Sequence, residues 1–530
     1  MEFEEFFLAI AIRARFRSIR QWRIYDKQRA VRAQCKADFE RRHPSLARRS
    51  SLLLSSTRSV THAYPGDPPT MKSRRSVATG SGTAGAPGRW PVVGHAPALI
   101  SRRLEFLSSL SSVGEVVEIR LGPIPAYVVT DPTVAHQLLV PGDRDYDRGR
   151  LMEKASVWFG DSLLTSHGAS HQQQRRSLRS AFTSEQVDSH VRHVQDAART
   201  LVESWTADEV LAVDELMKDL ALTNTAQSLF STDLTAENLE SFRLHLPTLF
   251  KSVIFRTVLP SGMERMPTMG NLRFKKAMRS LNGVVGDLIA DRRAGSGNGD
   301  EHGDLLASLL AAQDDQGHVL PDQQIRDHVM TMLVAGSEST AAVLSWALYE
   351  IFRNPHIAHR VREELGAIPS GHALTAADVS SLTYLNNVVS ETLRRYPVPF
   401  IMRRTLKPVR LGEVELPAGA EIVYSPYLLH HDRRWFPEPH RFDPDRWSST
   451  GHGSITKGSY LPFGAGAHVC IGKRMALAGL TTALAVICSH WRLEPVAGQR
   501  IREVATGTVH PNRMPMIPRR LPADDRERAV

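Results

Sequence analysis

With 530 residues, 42% of them hydrophobic and 23% charged, the chain can bury a large core, and its three cysteines, Cys35, Cys470 and Cys488, lie too far apart for a disulfide framework or a CxxC metal knuckle. It reads as reduced, intracellular and cytoplasmic. The net charge of +10 suggests nucleic acid only until it is mapped: fourteen cations against seven carboxylates in residues 1–70 give +7 and leave +3 for the rest, so no nucleic-acid partner is expected.

The leader begins with acidic residues and has no apolar stretch followed by a small-residue cleavage site, so it reads as neither a secretory signal nor a transit peptide. Residues 1–86 are expected to be a basic leader and a Gly/Ser linker, "SVATGSGTAGAPG", with translation starting at Met71. A basic interaction arm and an unrecognised targeting segment are the alternatives. Residues 87–530 then form one domain. No run of about 18 apolar residues appears, so no membrane anchor is expected.

Along that domain the pattern is mainly helical with small patches of strand, an α+β chain. "EVVEIRLGPIPAYVVTDP" (Glu115 to Pro132) predicts a hairpin broken at Gly122-Pro123. In "HGASHQQQRRSLRSAF", His171 and Arg175 are i,i+4 on one helix face; they form either an anion clamp or a solvated basic surface. The Gly-rich "RRAGSGNGDEHGD" (Arg292 to Asp304) predicts a mobile loop. "MLVAGSEST" is an apolar helix that turns polar at Gly336, Ser337, Glu338, Ser339 and Thr340. Hydroxyls bonding back to the preceding turn would bend it into a groove beside Gly336, while simple helix-end chemistry is the plain alternative.

"ETLRRYP" sets Glu391 and Arg394 i,i+3 on a core-packed helix. An exposed pair of this kind means little, but "FPEPHRFDPDRW" brings Arg446 as a further partner for a buried one. "VRLGEVELPAGAEIVYSPY" (Val409 to Tyr427) repeats the hairpin pattern. "FGAGAHVCIG" (Phe463 to Gly472) then sets Cys470 among glycines, just before an uncharged core helix within Met475 to Trp491. The helix N-terminus favours an anionic sulfur.

Taken together, in order and over more than four fifths of the chain, these segments resemble the cytochrome P-450 haem-thiolate monooxygenases of the soluble actinobacterial type. "FGAGAHVCIG" is similar to the family's cysteine loop, "ETLR" to its Glu-x-x-Arg pair, "FDPDRW" to its Arg-bearing meander, "AGSEST" to its oxygen-groove helix and "HQQQR" to its propionate-binding helix. The resemblance implies haem b with Cys470 as thiolate ligand of the metal, and Phe463 and Gly472 around the sulfur. It further implies His171, Arg175, Arg403 and His468 on the propionates, and Glu391, Arg394 and Arg446 as a structural trio. Glu338 and Ser339 are the expected proton-delivering acid and alcohol, with Thr340 as the second hydroxyl. Ser339 departs from the family's usual Thr.

Several other readings compete. A zinc hydrolase lacks a partner motif for His468 and Cys470. A non-catalytic haem carrier or sensor would not need the Glu338–Ser339 groove, and peroxide-driven peroxygenases usually lose that pair. No flavin, nicotinamide or iron-sulfur motif is present, so the resemblance implies electrons from NAD(P)H through a ferredoxin and its reductase, acting on a monomer. It also places the pocket walls at about 148–159, at "SVIFRTVLP", at Leu333 to Glu338 and at "PVPFIM", mostly apolar residues. An apolar substrate follows. Similarity to terpene-oxidising, pentalenene oxygenase-like members makes a cyclic sesquiterpene the first expectation, with a fatty acid or polyketide as the alternative.

Overall fold

The computed structural model of the chain describes residues 83–140, 143–258, 264, 266–294, 304–312, 319–369, 371–448 and 455–521. The expected leader lies outside these residues up to position 82, as does the centre of the loop expected over 292–304. Every described helix and strand belongs to one compact unit, Gly80–Arg89 with Val93–Val530.

In chain order the strands are β1 (Ala84–Gly85), β2 (Val116–Leu121), β3 (Ile124–Val129), β4 (Tyr146–Asp147), β5 (Leu211–Ala212), β6 (Ile401–Thr405), β7 (Val409–Leu411), β8 (Val414–Leu416), β9 (Glu421–Tyr424), β10 (Trp491–Pro495), β11 (Glu503–Ala505), β12 (Val509–Pro511) and β13 (Pro515–Arg520). The long helices that frame the site are α1 (Gly149–Phe159), α2 (Gly168–Leu178), α3 (Ser184–Glu203), α4 (Val213–Phe230), α5 (Ala236–Val258), α6 (Met269–Arg293), α7 (Asp322–Arg353), α8 (Thr383–Arg395) and α9 (Lys473–His490).

The first hairpin forms where the sequence places it, with Val116 opposite Val129 and Leu121 opposite Ile124, and with Gly122 at φ 62° in the corner. The second is shorter than expected. Only β7 and β8 pair with each other, while β9 leaves them to run parallel to β3 and antiparallel to β6. All four β9 residues are buried, and a strand covered on both faces belongs inside a sheet. The resulting order is β1-β2-β3-β9-β6-β4, with β10-β13-β5 as a separate sheet.

Helix α7, 32 residues long and so about 48 Å, is the central post. It is buried on nearly every side and packs against α4, α9, α8 and α6. One apolar core gathers the large sheet with α1, α5, α6 and the first part of α7; another joins α3, the rest of α7, α8 and α9. Helix α9 is the core helix expected from its uncharged sequence, buried from Gly479 through Ser489. Among the described residues no helix is long and apolar enough to cross a membrane.

Candidate active site

The loop that carries Cys470 is held from behind. Gly464 and Gly466 adopt φ of 69° and 70°, a region that costs most L-residues 1–2 kcal/mol or so, and a side chain at Gly466 would run into the Leu139 carbonyl. The Cys470 amide donates to the Phe463 carbonyl at 3.0 Å, and the Phe463 ring lies 5.8 Å below the Lys473 ammonium. Gly472, expected around the sulfur, has an ordinary φ of −85° and caps α9. Its contribution at the sulfur is its N–H, which bonds the thiol.

The side chain of Cys470 keeps open surface although protein surrounds it. Burial raises its pKa, and the Gly472 N–H, Arg175 and Lys473 only partly offset that. The Gly472 N–H at the start of α9 acts in the direction the sequence suggests, favouring the anionic sulfur against the cost of burial. Coordination to a metal deprotonates a thiol outright.

Helix α2 brings the cations. Its first turn leaves Gly168 at φ 60°, and one turn apart on its inner face stand the buried His171 and the half-buried Arg175. Arg175 Nη1 donates to the Val469 carbonyl at 2.8 Å, and the His171 ring lies 3.9 Å from that of His468. Two further cations arrive from the sheet. Arg403 is buried on β6 with Nη1 on the Met402 carbonyl at 2.9 Å, and Arg148 precedes α1 with Nε on the Leu164 carbonyl at 2.9 Å.

Burial pushes the His171 pKa down to about 4, helped by Arg148, Arg175 and Arg403; the same forces act on His468 and lower it further. No carboxylate stands among the charges acting most strongly on either ring. Five cationic or ionisable nitrogen groups gathered beside the cysteine loop could hold the two propionates of a haem, with the Cys470 sulfur available to its iron. Arg148 was not among the expected contacts. No local pattern marks it, because β4 pairing with β6 sets its neighbours.

On α7, Ala335 and Ser339 are the two exposed positions in a segment where Gly336, Glu338 and Thr340 are half-buried and the rest are buried. Ser339 Oγ donates to the Ala335 carbonyl at 2.9 Å, which holds its rotamer without the methyl of a Thr. Gly336 does not line this face. It meets Thr225 of α4, so it marks a close helix crossing and not the expected groove. Glu338 Oε1 lies 3.5 Å from the Thr508 hydroxyl, a partner with no sequence signal, and the Thr340 hydroxyl makes no hydrogen bond among the described residues.

Glu391 and Arg394 are fully buried and joined by two bonds of 2.9 Å each, from Nε and Nη2. The Trp447 indole and the Asp443 amide complete the carboxylate at 3.0 Å each, and the His430 carbonyl takes Arg394 Nη1 at 2.9 Å. Arg446 stands nearby, with Nε 3.6 Å from Glu391, and that Nε makes no hydrogen bond among the described residues. The meander thus supplies the carboxylate's hydrogen bonds through Trp447 and backbone, while the expected partner Arg446 adds a buried ion pair.

A cysteine loop tied to a cluster of cations is the arrangement of a haem-thiolate class of site. The chain belongs to the cytochrome P-450 family, whose model matches residues 85–516. It is 38% identical to cyclooctat-9-en-7-ol 5-monooxygenase of Streptomyces melanosporofaciens and 37% identical to cyclooctatin synthase of the same organism, in each case over 82% of this chain and 95% of the relative. It is 34% identical to pentalenene oxygenase of Streptomyces avermitilis, over 81% of this chain and 95% of that protein. The protein is a cytochrome P-450 monooxygenase with a haem-thiolate cofactor, supplied with electrons by redox partners.

Proposed function

We propose that this monooxygenase hydroxylates a cyclic terpene, with a cyclic sesquiterpene as the first candidate. The observation that carries the reading is that two relatives, 38% and 34% identical over more than four fifths of the chain, are named as a monooxygenase of cyclooctat-9-en-7-ol and an oxygenase of pentalenene. The apolar walls contributed by Ile254, Phe400 and Met402 support it, since burial alone can hold a hydrocarbon skeleton.

In this reading Cys470 holds haem b, and His171, Arg175, Arg403, His468 and Arg148 receive its propionates. The bound haem supplies oxygen activation, driven by electrons from NAD(P)H through a ferredoxin and its reductase in the cytoplasm. Ser339 presents a hydroxyl at the open stripe of α7 and holds a proton there, with its orientation set by the Ala335 carbonyl. Glu338, beside Thr508, relays protons toward it. Residues 87–530 act as one monomeric domain.

The test is titration of the purified ferric protein with cyclic terpenes, linear fatty acids and macrolides, read as the spin-state shift of the haem spectrum. A response to cyclic terpenes is expected. A response confined to linear fatty acids or macrolides overturns the terpene reading.

A further inference from the structure

Arg103 is a cation in apolar surroundings. It lines a small cavity of about 30 Å³ with Leu99, Leu107, Ile254, Phe400 and Met402, and it is the only charged residue in that lining. Roughly two waters or one carboxylate would fill such a volume. Two of the segments that form it, around Ile254 and around Phe400, are those assigned to the substrate walls.

The guanidinium is held but not neutralised. Nε donates to the Leu99 carbonyl at 3.0 Å, Nη1 donates to the Ala505 carbonyl, and the group lies 5.8 Å from the centre of the Phe400 ring. These two bonds use two of its five N–H groups. Among the described residues the others find no acceptor, and no carboxylate pairs with the group. Desolvation lowers its pKa to about 10, with no opposing charge to restore it. A backbone clamp and a filler for apolar space need no permanent charge, and an Arg left in this state is suited to a planar oxyanion met by two parallel N–H bonds.

We propose that Arg103 is a specificity-determining residue that recognises a carboxylate on the substrate, at the end of the pocket walled by Ile254, Phe400 and Met402. The inference rests on the terpene reading for the rest of the molecule, and it makes the substrate class an oxidised terpenoid acid, an apolar ring system with one anionic end. The reaction that supplies it is then an earlier oxidation of a terpene methyl or aldehyde to the acid.

The test compares a cyclic sesquiterpene carboxylic acid with its methyl ester, and dodecanoic acid with its methyl ester, by calorimetric and spectral titration of the haem-loaded protein. The parent should bind the acid of the preferred skeleton about tenfold or more tightly than the ester, the scale of a charge-assisted pair. Arg103→Gln should bring the two affinities together by weakening the acid alone. Should that variant fail to hold haem, Arg103→Lys keeps the stem and charge but not the fork, and should cut the ratio about threefold or more.

Equal affinities for acid and ester in the parent, an acid preference untouched in either variant, or no binding of either acid overturns the proposal. The skeleton is read separately from the charge. If only the dodecanoate pair binds, the terpene reading fails, while the acid-to-ester ratio of that pair still decides Arg103.

Discussion

Gly336 sits hard against Thr225: a Cβ added to the glycine would lie 2.8 Å from Thr225 Cγ2 and 2.9 Å from its Oγ1. The crossing of α4 and α7 is closed by the absence of one methyl group. Gly336→Ala should therefore destabilise the protein by about 1–3 kcal/mol, the usual range for overpacking, although Ala is the better helix former. Thr225→Ala in the same chain should recover most of that loss. Urea midpoints of the two single variants and the double variant measure the coupling, and purely additive effects would show that the two side chains do not compete for space.

Replacing Glu391 by Ala leaves Arg394 charged, buried and without its partner. Such a removal costs about 3–5 kcal/mol, enough to prevent a folded holoprotein from accumulating. Arg446→Met should cost only about 1 kcal/mol, because Trp447 and the Asp443 amide already serve the Glu391 carboxylate. The comparison is made on haem content and denaturation midpoint, and equal losses in both variants would show that Arg446 is a full member of the network.

How much of this was legible in the sequence depends on how far each contact reaches. Glu391 and Arg394 are separated by one helical turn, and the cysteine loop by its own glycines, so both were readable from spacing. The direction in which Gly336 points was not, because periodicity assigns a residue to a face and leaves open which helix will cover it. Arg148, Thr508 and Trp447 belong to the site only through strand pairing and distant loop packing, which no short pattern encodes. β9 illustrates the same limit: its alternation with β8 suggested a hairpin, yet four consecutive buried positions drew it into the large sheet.

Ser339→Ala should keep haem and substrate binding and divert most consumed oxygen to peroxide, since a positioned proton donor is worth about 10²- to 10⁴-fold in rate. Ser339→Thr should leave product formed per oxygen close to the parent's, because the bond to the Ala335 carbonyl already orients the hydroxyl. Oxygen-electrode and peroxide assays decide it. If Ser339→Ala matches the parent in product per oxygen, Thr340 becomes the working alcohol.

The two described cysteines should separate cleanly. Cys470→Ser is expected to abolish the reduced carbon-monoxide band of thiolate-bound haem, whereas Cys488→Ser, buried in α9 with its thiol pushed up to about 12, should retain it. Survival of the band in Cys470→Ser would remove the ligand assignment.

Stability should fall on acidification through two buried histidines remote from the sulfur. His328 is lowered to about 4 by burial despite Asp161, and His430 to about 3 by burial and Arg394. Leu461 N–H donates to His430 Nε2 at 3.2 Å, so that ring is neutral with its proton on Nδ1, facing the Arg394 carbonyl. In the unfolded chain both titrate near the ordinary value of about 6.5. The unfolded state thus binds more protons below that pH, and stability declines as pH falls from about 6.5 toward 4, by on the order of 3 kcal/mol per ring. Urea midpoints at pH 7, 6 and 5 test the decline, and His328→Gln should flatten it. A variant profile as steep as the parent's would exclude His328 as a contributor.

Gly466 also bears on how the protein is made. The Leu139 carbonyl behind it and the Val469 carbonyl bonded to Arg175 tie the cysteine loop to parts of the chain that leave the ribosome far earlier. Early segments fold first during synthesis, and contacts between sequence-distant partners close slowly. His171 and Arg175 of α2 can therefore be folded while Cys470 and His468 are still untranslated, and the site is completed only when the cysteine loop docks on them.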